Sequence, residues 1–307
     1  MMLFFHVLML SLLSSGSPKV VQNFESECDV FFANKKSPTG FPVKQYEKIC
    51  QTLNNVVYYA TLYDTVSKIP VFSAYKFEGL KDCTRLNKWY IEPQLDDNDN
   101  GSQDMKFENY VNIQGLGNRQ ALNSDYSMSE HDKGHLEPVF QANSQGCADA
   151  TFTLTNAAPQ NPSFNRGQWK KLEGQMAKHL SDHCLPKKYS VYIVTGVVPG
   201  TKNIKNRVIV PSHFWTAYCC LDQNNKCKIS SGFIGENENN PPEEKTVKNL
   251  ETQLANLYQL DDINMKSENN VKIQGLGDNQ ALDKYYENSG YDRDHLAPVY
   301  QANSQLC

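Results

Sequence analysis

The sequence predicts a mixed α+β fold followed by a partial repeat of its own central part. Segments rich in Val, Tyr, Phe and Thr, which are typical of strands, occur on both sides of a segment with helical spacing of apolar residues. Residues 111–147 align without a gap to residues 271–307 at a constant shift of 160, with 22 of 37 positions identical. This distance is too long, and two copies are too few, for a solenoid, so we interpret the second copy as a truncated duplicate.

The length of 307 residues allows one large domain or two small ones. We predict a first unit over residues 17–234 and a linker rich in Asn, Glu and Pro over residues 235–242. The partial second copy is then assigned to residues 243–307.

Residues 1–16 are predicted to be a cleaved secretory signal. They form an apolar run that is too short to span a bilayer and that ends in small residues near Gly16, as signal peptidase requires. The run contains no Lys or Arg, so a buried N-terminal helix is the alternative. No later stretch is apolar for long enough to cross a membrane, and we therefore expect a secreted protein.

Nine cysteines fit the oxidising compartment that such a signal implies, and their spacing matches no zinc-binding pattern. Cys28 with Cys50, and Cys184 with Cys219 or Cys220, are candidate disulfides, although the connectivity does not follow from the sequence. Because the count is odd, one cysteine is free or has its partner in another chain, unless the chain is incomplete.

The first elements are predicted to be a loop-rich start and a hairpin. Residues 17–55 mix turn formers with short apolar pieces. Residues 56–63 and 69–77 have the composition of two core strands around a polar break. The acidic segment 96–101 is similar to a calcium loop but lacks the Glu that closes such a loop at its twelfth position, so a solvated loop is predicted.

Further elements are predicted after the first copy of the repeat. Residues 151–155 alternate in the manner of a strand. Apolar residues at helical spacing predict a helix from about Asn165 to Ser181, and they are Trp169, Leu172, Met176 and Leu180. Three more strands and a second amphipathic helix are predicted over residues 189–198, 208–210, 214–220 and 243–260.

Three polar residues on these elements have the chemistry of a one-metal nuclease site. Phosphodiester cleavage requires a general base for water and a cation at the scissile phosphate. His135 suits the base because imidazole titrates near ~6.5, and Asp132 or a backbone carbonyl is expected to orient it. Asn165 suits a single hard cation, Mg²⁺ or in its place Mn²⁺, since one amide oxygen leaves most of the coordination sphere to water and phosphate.

Two further side chains are assigned supporting roles. Glu173 lies two turns into the same helix, roughly 80° round from Asn165, and is expected to contact the metal through a water molecule. Lys133 lies two residues before His135, on the same strand face, where its ammonium group would neutralise the phosphate. Each residue alone has a structural alternative, namely a buried core histidine, an N-cap asparagine and an ordinary helix-surface glutamate. Their joint spacing favours the site.

Three motifs carry these residues: Asp-Lys-Gly-His-Leu-x-Pro, Thr-Phe-Thr-Leu-Thr-Asn-Ala-Ala-Pro-Gln and Asn-Arg-Gly-Gln-Trp-Lys-Lys-Leu-Glu, which begin at positions 132, 151 and 165. Together they resemble the DNA/RNA non-specific endonuclease family with its ββα-metal, or His-Me, finger, and the likeness covers about residues 24–234. The resemblance implies a central antiparallel sheet with the finger on one side. It also implies His135 as the general base, Asn165 as the direct magnesium ligand, Glu173 acting behind the metal, and Asn156 near the site.

The chain departs from the family pattern in both copies. Lys133 stands where the family usually has Arg, and an ammonium group cannot bind phosphate in the bidentate way of a guanidinium, so reduced activity is expected. His131 stands where the family usually has Tyr. In the second copy Asp294 replaces the motif glycine, and no strand, turn and Asn-bearing helix follow, so His295 is predicted to be inert by itself.

We therefore expect a secreted, magnesium-dependent endonuclease that cleaves DNA or RNA without sequence specificity. The net charge of −4 does not favour nucleic acid, so binding requires a local basic patch. Eight residues are candidates for that patch, with a solubilising surface as an equal interpretation: Lys170, Lys171, Lys178, Lys187, Lys188, Lys202, Lys205 and Arg207. The rival functions are an inactive extracellular nucleic-acid-binding protein on the same scaffold, and a disulfide-bridged structural module with a vestigial His–Asn pair.

Overall fold

The structure is a computed structural model that describes residues 20–42, 45–259 and 272–273. The predicted signal and most of the repeat copy at 271–307, His295 included, lie outside the described residues. The helices are α1 (Phe24–Glu27), α2 (Pro93–Asp96), α3 (Asn123–Tyr126), α4 (Gln145–Ala150), α5 (Lys170–His183) and α6 (Val247–Gln259). The strands are β1 (Val20–Val21), β2 (Tyr46–Leu53), β3 (Val56–Asp64), β4 (Ile69–Phe77), β5 (Tyr90–Ile91), β6 (Lys106–Phe107), β7 (Asp132–His135), β8 (Ala157–Gln160), β9 (Ser190–Ile204), β10 (Val208–Leu221), β11 (Cys227–Glu236) and β12 (Glu243–Lys245).

Eight strands form one antiparallel sheet in the order β1-β2-β3-β4-β9-β10-β11-β12, and the pairs β5–β6 and β7–β8 lie apart from it. β3 and β4 are the predicted hairpin. The Asp64 carboxylate stabilises the turn between them, because it accepts hydrogen bonds from the N–H groups of Val66 and Ser67 and from the Ser67 hydroxyl. The mixed α+β fold with a large antiparallel sheet is thus confirmed.

Apolar side chains cover both faces of this sheet. Successive strand residues point to opposite faces, so Phe214 of β10 packs against Trp169 beside α5, whereas its neighbour Trp215 donates its ring N–H to Tyr258 of α6. Phe24 of α1 lies in the same cluster as Trp215. The sheet is therefore a middle layer, with α5 on one face and α1 and α6 on the other.

Two sequence predictions are wrong in detail. Residues 151–155 are not a strand: they follow α4 irregularly and enter a 3₁₀ turn, and the strand lies just beyond them as β8. Every residue from Thr151 to Gln160 is buried, so the alternation did not mark one exposed face. The strands predicted at 208–210 and 214–220 are the single strand β10, whose pairing becomes irregular at Pro211 because proline has no N–H to donate.

The residues predicted as a linker and as the start of the second copy are integrated with the first unit. β11 extends to Glu236, and the Asn237 side chain donates hydrogen bonds to the carbonyls of Pro159 and Pro211. β12 pairs with β11, and α6 buries Leu250 in the sheet's core. The sheet and core that we assigned to residues 17–234 therefore continue through α6.

Three disulfides cross-link this fold: Cys28–Cys50, Cys184–Cys220 and Cys219–Cys227. The first confirms a candidate pair, and the second identifies which of two neighbouring cysteines bonds to Cys184. Disulfides are compatible with an extracellular protein. Within the described ranges, no helix has the length and apolar character needed to cross a membrane.

Gly196 of β9 is a position where any side chain would collide with the core. A Cβ atom there would lie 2.3 Å from the Trp215 ring and 2.5 Å from the Val71 carbonyl oxygen. We expect Gly196→Ala to lower the free energy of unfolding by about 1–3 kcal/mol, the usual cost of overpacking. Gly174→Ala in α5 is the control, because a Cβ atom there meets nothing within 4 Å. Chemical denaturation followed by tryptophan fluorescence compares them, and equal stabilities would contradict this packing.

Candidate active site

The site is built on the short pair β7–β8, which is followed by α5. His135 pairs with Ala157 and Asp132 with Gln160. Gly134 permits the close approach of β7 to the Gln160 side chain, because a Cβ atom there would lie 2.2 Å from the side-chain oxygen of Gln160. Since an isolated two-stranded sheet of this size is not stable alone, its position depends on the contacts of β8 with β4 and β10.

The predicted helix is confirmed, although a π-helical turn, Phe164–Trp169, precedes α5. Asn161 accepts a hydrogen bond from the Ser163 N–H at 2.9 Å, and Asn165 lies inside the π-helical turn. Asn165 is therefore not the N-cap, which was the structural alternative predicted for it. Trp169 is buried and anchors the turn to the core.

His135 contacts two aromatic rings. Its ring centroid lies 4.7 Å from that of Trp89 and 4.9 Å from that of Phe152. Burial, with the positive charges of Arg85 and Lys133, lowers the pKa of His135 to about 3. Its Nε2 atom is buried and has no hydrogen-bond partner among the described residues. The ring is therefore neutral at physiological pH and has a nitrogen available to accept a proton.

Lys133 lies on the same face of β7 as His135, as their spacing predicted. Its Nζ atom is 5.1 Å from the centroid of the Trp89 ring, which His135 also contacts. Nζ also donates a 2.8 Å hydrogen bond to the side-chain oxygen of Asn123 and lies 5.6 Å from the centroid of the Tyr126 ring. Burial lowers the pKa of Lys133 to about 8, so its charge is lost under mildly alkaline conditions.

Asp132 binds the start of the helix and does not orient His135. It accepts hydrogen bonds from Arg166 at 2.8 and 2.5 Å and from Asn165 Nδ2 at 2.9 Å. Burial raises the pKa of Asp132, but these donors outweigh burial and leave the pKa below its ordinary value. The imidazole of His135 instead makes a hydrogen bond with the Lys133 backbone. Asp132 thereby engages the donor side of the Asn165 amide and leaves the oxygen side available.

Glu173 of α5 is affected by the positive charge of Arg85, which also acts on His135. Burial raises the pKa of Glu173 to about 8, and the positive charges of Arg85 and Lys170 offset only part of this effect. Its backbone carbonyl accepts a 3.1 Å hydrogen bond from Gln141. Because Arg85 acts on the pKa of both Glu173 and His135, the helix and the β7 strand face one charged group.

Arg85 is a site residue that the sequence analysis missed. Its exposed guanidinium lies 5.2 Å from the centroid of the Phe152 ring, which also contacts His135. It belongs to the irregular segment between β4 and β5, where no periodicity or motif marks it, and its place four residues before Trp89 is the only signal. Arg85 supplies a guanidinium group, which can bind phosphate in the bidentate way that the ammonium group of Lys133 cannot.

Asn156, which was expected near the site, is used to fix the backbone. Its Oδ1 accepts hydrogen bonds from the Glu137 N–H at 3.0 Å and the Ser73 hydroxyl at 2.9 Å. Its Nδ2 donates to the carbonyls of Glu137 at 3.1 Å and Thr151 at 3.0 Å, and its own carbonyl accepts from the Leu136 N–H. Asn156 therefore holds the chain directly after His135 and is not available to a substrate.

Glu137 is a buried carboxyl group that was not among the predicted site residues. Its Oε1 accepts a 3.3 Å hydrogen bond from the Cys147 thiol, and its Oε2 has no partner in the part of the chain that the structure describes. Burial raises the pKa of Glu137 to about 8, so the group is largely protonated at neutral pH.

The donors present suit a single hard cation that is bound mainly by water and phosphate. Over residues 20–42, 45–259 and 272–273, no three His, Cys, Asp or Glu side chains lie close enough to form a metal cage. The Asn165 oxygen is the direct protein ligand that this arrangement offers, and its amide is held by Asp132. Magnesium retains several water ligands and takes phosphate oxygens, so one amide oxygen fits it.

The eight basic residues named from the sequence are all exposed. Two of them are paired with carboxylates, Lys178 with Asp182 and Arg207 with Asp125. Lys202 lies close enough to His131 to lower its pKa, together with the larger effect of burial. Lys202 is therefore the member of this set that the structure brings next to β7.

Comparison with known proteins assigns the chain to a family. The model of the DNA/RNA non-specific endonucleases matches residues 37–274, a range that contains every site residue described above. The chain belongs to this family. A chain in the crystal structure of the EndoG/EndoGI complex has a TM-score of 0.45 with this structure at 20% identity, over 68% of this chain and 83% of that one.

Relatives of the chain are named as nucleases. The human endonuclease domain-containing 1 protein is 36% identical over 196 residues, which cover 63% of this chain and 39% of the relative. The mouse protein of the same name is 31% identical over 286 residues, which cover 91% of this chain and 56% of the relative. Human mitochondrial endonuclease G is 35% identical over 111 residues, or 31% of this chain and 35% of the relative. The chain thus spans 39% and 56% of the length of the first two relatives.

The buried carboxyl group of Glu137 makes folding stability depend on pH. Its folded-state pKa of about 8 lies above the ordinary 4.5, so the folded protein keeps a proton that the unfolded chain loses. This contribution to stability is complete below the unfolded pKa and is lost as the pH rises through about 8. We expect Glu137→Gln to make the decline in the free energy of unfolding shallower between about pH 4.5 and 8, while Glu173 maintains its own share.

Urea denaturation across that pH range measures the slope, with the exposed Glu130→Gln as the control. If Glu137→Gln and Glu130→Gln give the wild-type slope alike, then Glu137 is not held protonated in the folded protein.

Proposed function

We propose that this chain is a secreted, metal-dependent endonuclease that hydrolyses phosphodiester bonds of DNA and RNA without sequence specificity. The observation that carries the proposal is the neutral His135 ring, whose buried Nε2 has no hydrogen-bond partner among the described residues. Buried polar atoms are normally paired, so the unpaired nitrogen marks a group kept for a partner, and the negative charge of a bound phosphate would raise its pKa toward the range of a general base. Family membership supports nucleic acid as the substrate.

In this mechanism, Nε2 of His135 takes the proton of the water molecule that attacks phosphorus. The hydrogen bond with the Lys133 backbone holds the imidazole in place during the transfer. Lys133 and Arg85 bring positive charge to the phosphate oxygens, and Arg85 adds the bidentate geometry that an ammonium group lacks.

Asn165 would hold Mg²⁺, or Mn²⁺ in its place, through its side-chain oxygen, while Asp132 fixes the amide. The cation supplies positive charge that stabilises the phosphate and the departing oxygen. Glu173 would act behind it and, with a pKa near neutrality, can hold or release a proton there.

The groups proposed to meet the substrate are cationic side chains directed at phosphate, and such contacts carry no sequence information. This supports cleavage of DNA and RNA alike. The apolar run at residues 1–16 and the three disulfides support secretion.

A nucleic-acid-binding protein with little or no activity is the second candidate. The observation that favours it is Lys133, which replaces the family's usual arginine and whose Nζ is bonded to Asn123. Binding that weakens steeply with salt, without cleavage, would distinguish this candidate from the enzyme.

Removal of the proposed base should abolish cleavage. We expect His135→Ala to reduce the rate by about 10²–10⁴-fold, the usual contribution of a general base. The assay is digestion of supercoiled plasmid and of RNA with magnesium, with manganese and with EDTA. His295→Ala is the matched control, because His295 occupies the same motif position in the second copy. Intact substrates with wild-type protein across about pH 6–8 would reject the enzyme proposal in favour of the binding protein.

The low pKa of Lys133 should appear in the pH profile. The ammonium group is charged below about pH 8 and neutral above it, so kcat/KM, which reports ionisations of the free enzyme, should fall through that range. We expect Lys133→Arg to remove this fall, since guanidinium stays charged. Lys171→Arg, at an exposed position on α5, is the control. A fall that persists unchanged in Lys133→Arg would mean that another group causes it.

A further inference from the structure

Two cysteines in the described residues have no disulfide partner, and both lie near the site. Cys83 is half-buried in the irregular segment between β4 and β5, two residues before Arg85, and Cys147 is buried in α4. The thiol of Cys147 donates to Glu137, which follows His135 by two residues. Neither cysteine has a role in the mechanism above.

A reciprocal pair of hydrogen bonds brings the two cysteines' neighbours together. The Thr84 N–H donates to the Gln145 side-chain oxygen at 2.9 Å, and the Gln145 side-chain nitrogen donates to the Thr84 carbonyl at 3.1 Å. Asn143 donates a further hydrogen bond to Glu78. The segment that carries Cys83 is thus joined at two points to the start of α4.

The side chains of the two cysteines also share one apolar cluster. Cys147 is a buried member of it with Phe152, and Cys83 and Trp89 pack against it from the irregular segment. Burial and Glu137 are the main causes that raise the pKa of the Cys147 thiol, and Cys83 makes a smaller contribution, which places the two sulfurs within electrostatic range. Two unbonded thiols in one cluster, in a chain that forms three other disulfides, are a pair suited to oxidation.

We infer that Cys83 and Cys147 form a fourth disulfide, which fastens the segment of residues 78–89 to α4 and holds Arg85 and Trp89 against His135. The cross-link is inferred from the shared apolar cluster and the hydrogen bonds between the two segments, whereas its effect on activity rests on the proposed nuclease function. The irregular segment has no sheet ladder or helix of its own, so Arg85 owes its position to the few contacts that the disulfide would make permanent.

The oxidant required is a small-molecule disulfide, and the exchange balances with it. Cys83, the more exposed thiol, attacks the reagent, whose S–S bond breaks and releases one small thiol. The Cys147 sulfur then attacks the mixed disulfide at Cys83, and the Cys147 thiol proton passes to the small thiolate that leaves. The Cys83–Cys147 bond forms, a second small thiol leaves, and the two protein thiol protons end on the two small thiols.

The proposal also accounts for the odd number of cysteines. Four disulfides use eight of the nine residues and leave Cys307, which is the equivalent of Cys147 in the second copy of the repeat. The repeat contains no equivalent of Cys83, since its segment begins at residue 111. The repeat therefore duplicates Cys147 without Cys83, and Cys307 lies outside the described residues.

The test is a disulfide map of the full chain, purified without reductant and incubated with oxidised glutathione. Remaining thiols are alkylated in denaturant, and a non-reducing digest is analysed by mass spectrometry. We expect a cross-linked peptide pair that contains Cys83 and Cys147, and its absence in Cys83→Ser. Alkylation of both cysteines in the oxidised wild type would overturn the inference, whether or not the protein is a nuclease.

A second measurement tests whether the disulfide holds Arg85 in place for catalysis. Cys83→Ser should lower kcat/KM by about threefold to tenfold because Arg85 is no longer held. In the Arg85→Ala background, Cys83→Ser should cause a smaller further loss, due to Trp89 alone, and mild reduction should lower the activity of the wild type but not that of Cys83→Ser. If the cross-link is mapped but kcat/KM is unchanged in Cys83→Ser, then the disulfide is supported and its role in holding Arg85 is rejected. Cys83→Ser is preferred over a Cys147 variant because Cys147 is buried.

Discussion

The geometry of the site depends on one buried amide, the side chain of Asn156. Its oxygen and nitrogen bond the backbone directly after His135, and through Ser73 they connect to Thr61 in the central sheet. Four-residue strands do not hold their own position in water, so the place of His135 is set by β3 and β4 and transmitted through these hydrogen bonds. Without the Asn156 side chain, each buried backbone group that it pairs would be left without a hydrogen bond, at a cost of roughly 1–3 kcal/mol. Asn156 therefore has a structural role.

Burial is the common cause of the protonation states in the site. It lowers the pKa of His135 and Lys133 and raises the pKa of Glu137 and Glu173, and each shift favours the neutral form. The free site is thus less charged than its residues suggest, in a chain whose net charge is −4. A phosphate group that enters it favours the protonated form of Lys133, so the substrate itself would complete the positive charge that receives it.

The sequence predicted the elements whose pattern is local and missed the features that require knowledge of both sheet faces. The β3–β4 hairpin and α5 follow from composition and helical spacing, and His135 and Lys133 share a face because strand residues alternate. The choice between Cys219 and Cys220 also follows from alternation, since Cys220 faces Cys184 and Cys219 faces the opposite cluster. Making that choice from the sequence required knowing which elements cover each face of the sheet. Arg85 was beyond prediction because it reaches the site from an irregular segment 50 residues before His135.

The same layout shows that the repeated segment contains only part of the candidate site. Residues 111–147 contribute one strand, β7, to the site of the first unit. The strand that pairs with it, the Asn156 clamp and α5 with Asn165 all lie after the repeated segment, whereas Arg85 and Trp89 lie before it. Residues 111–147 therefore carry the motif histidine, whereas the other groups of the candidate site come from segments outside this range. The chemistry belongs to the arrangement around the motif, and the motif alone does not carry it.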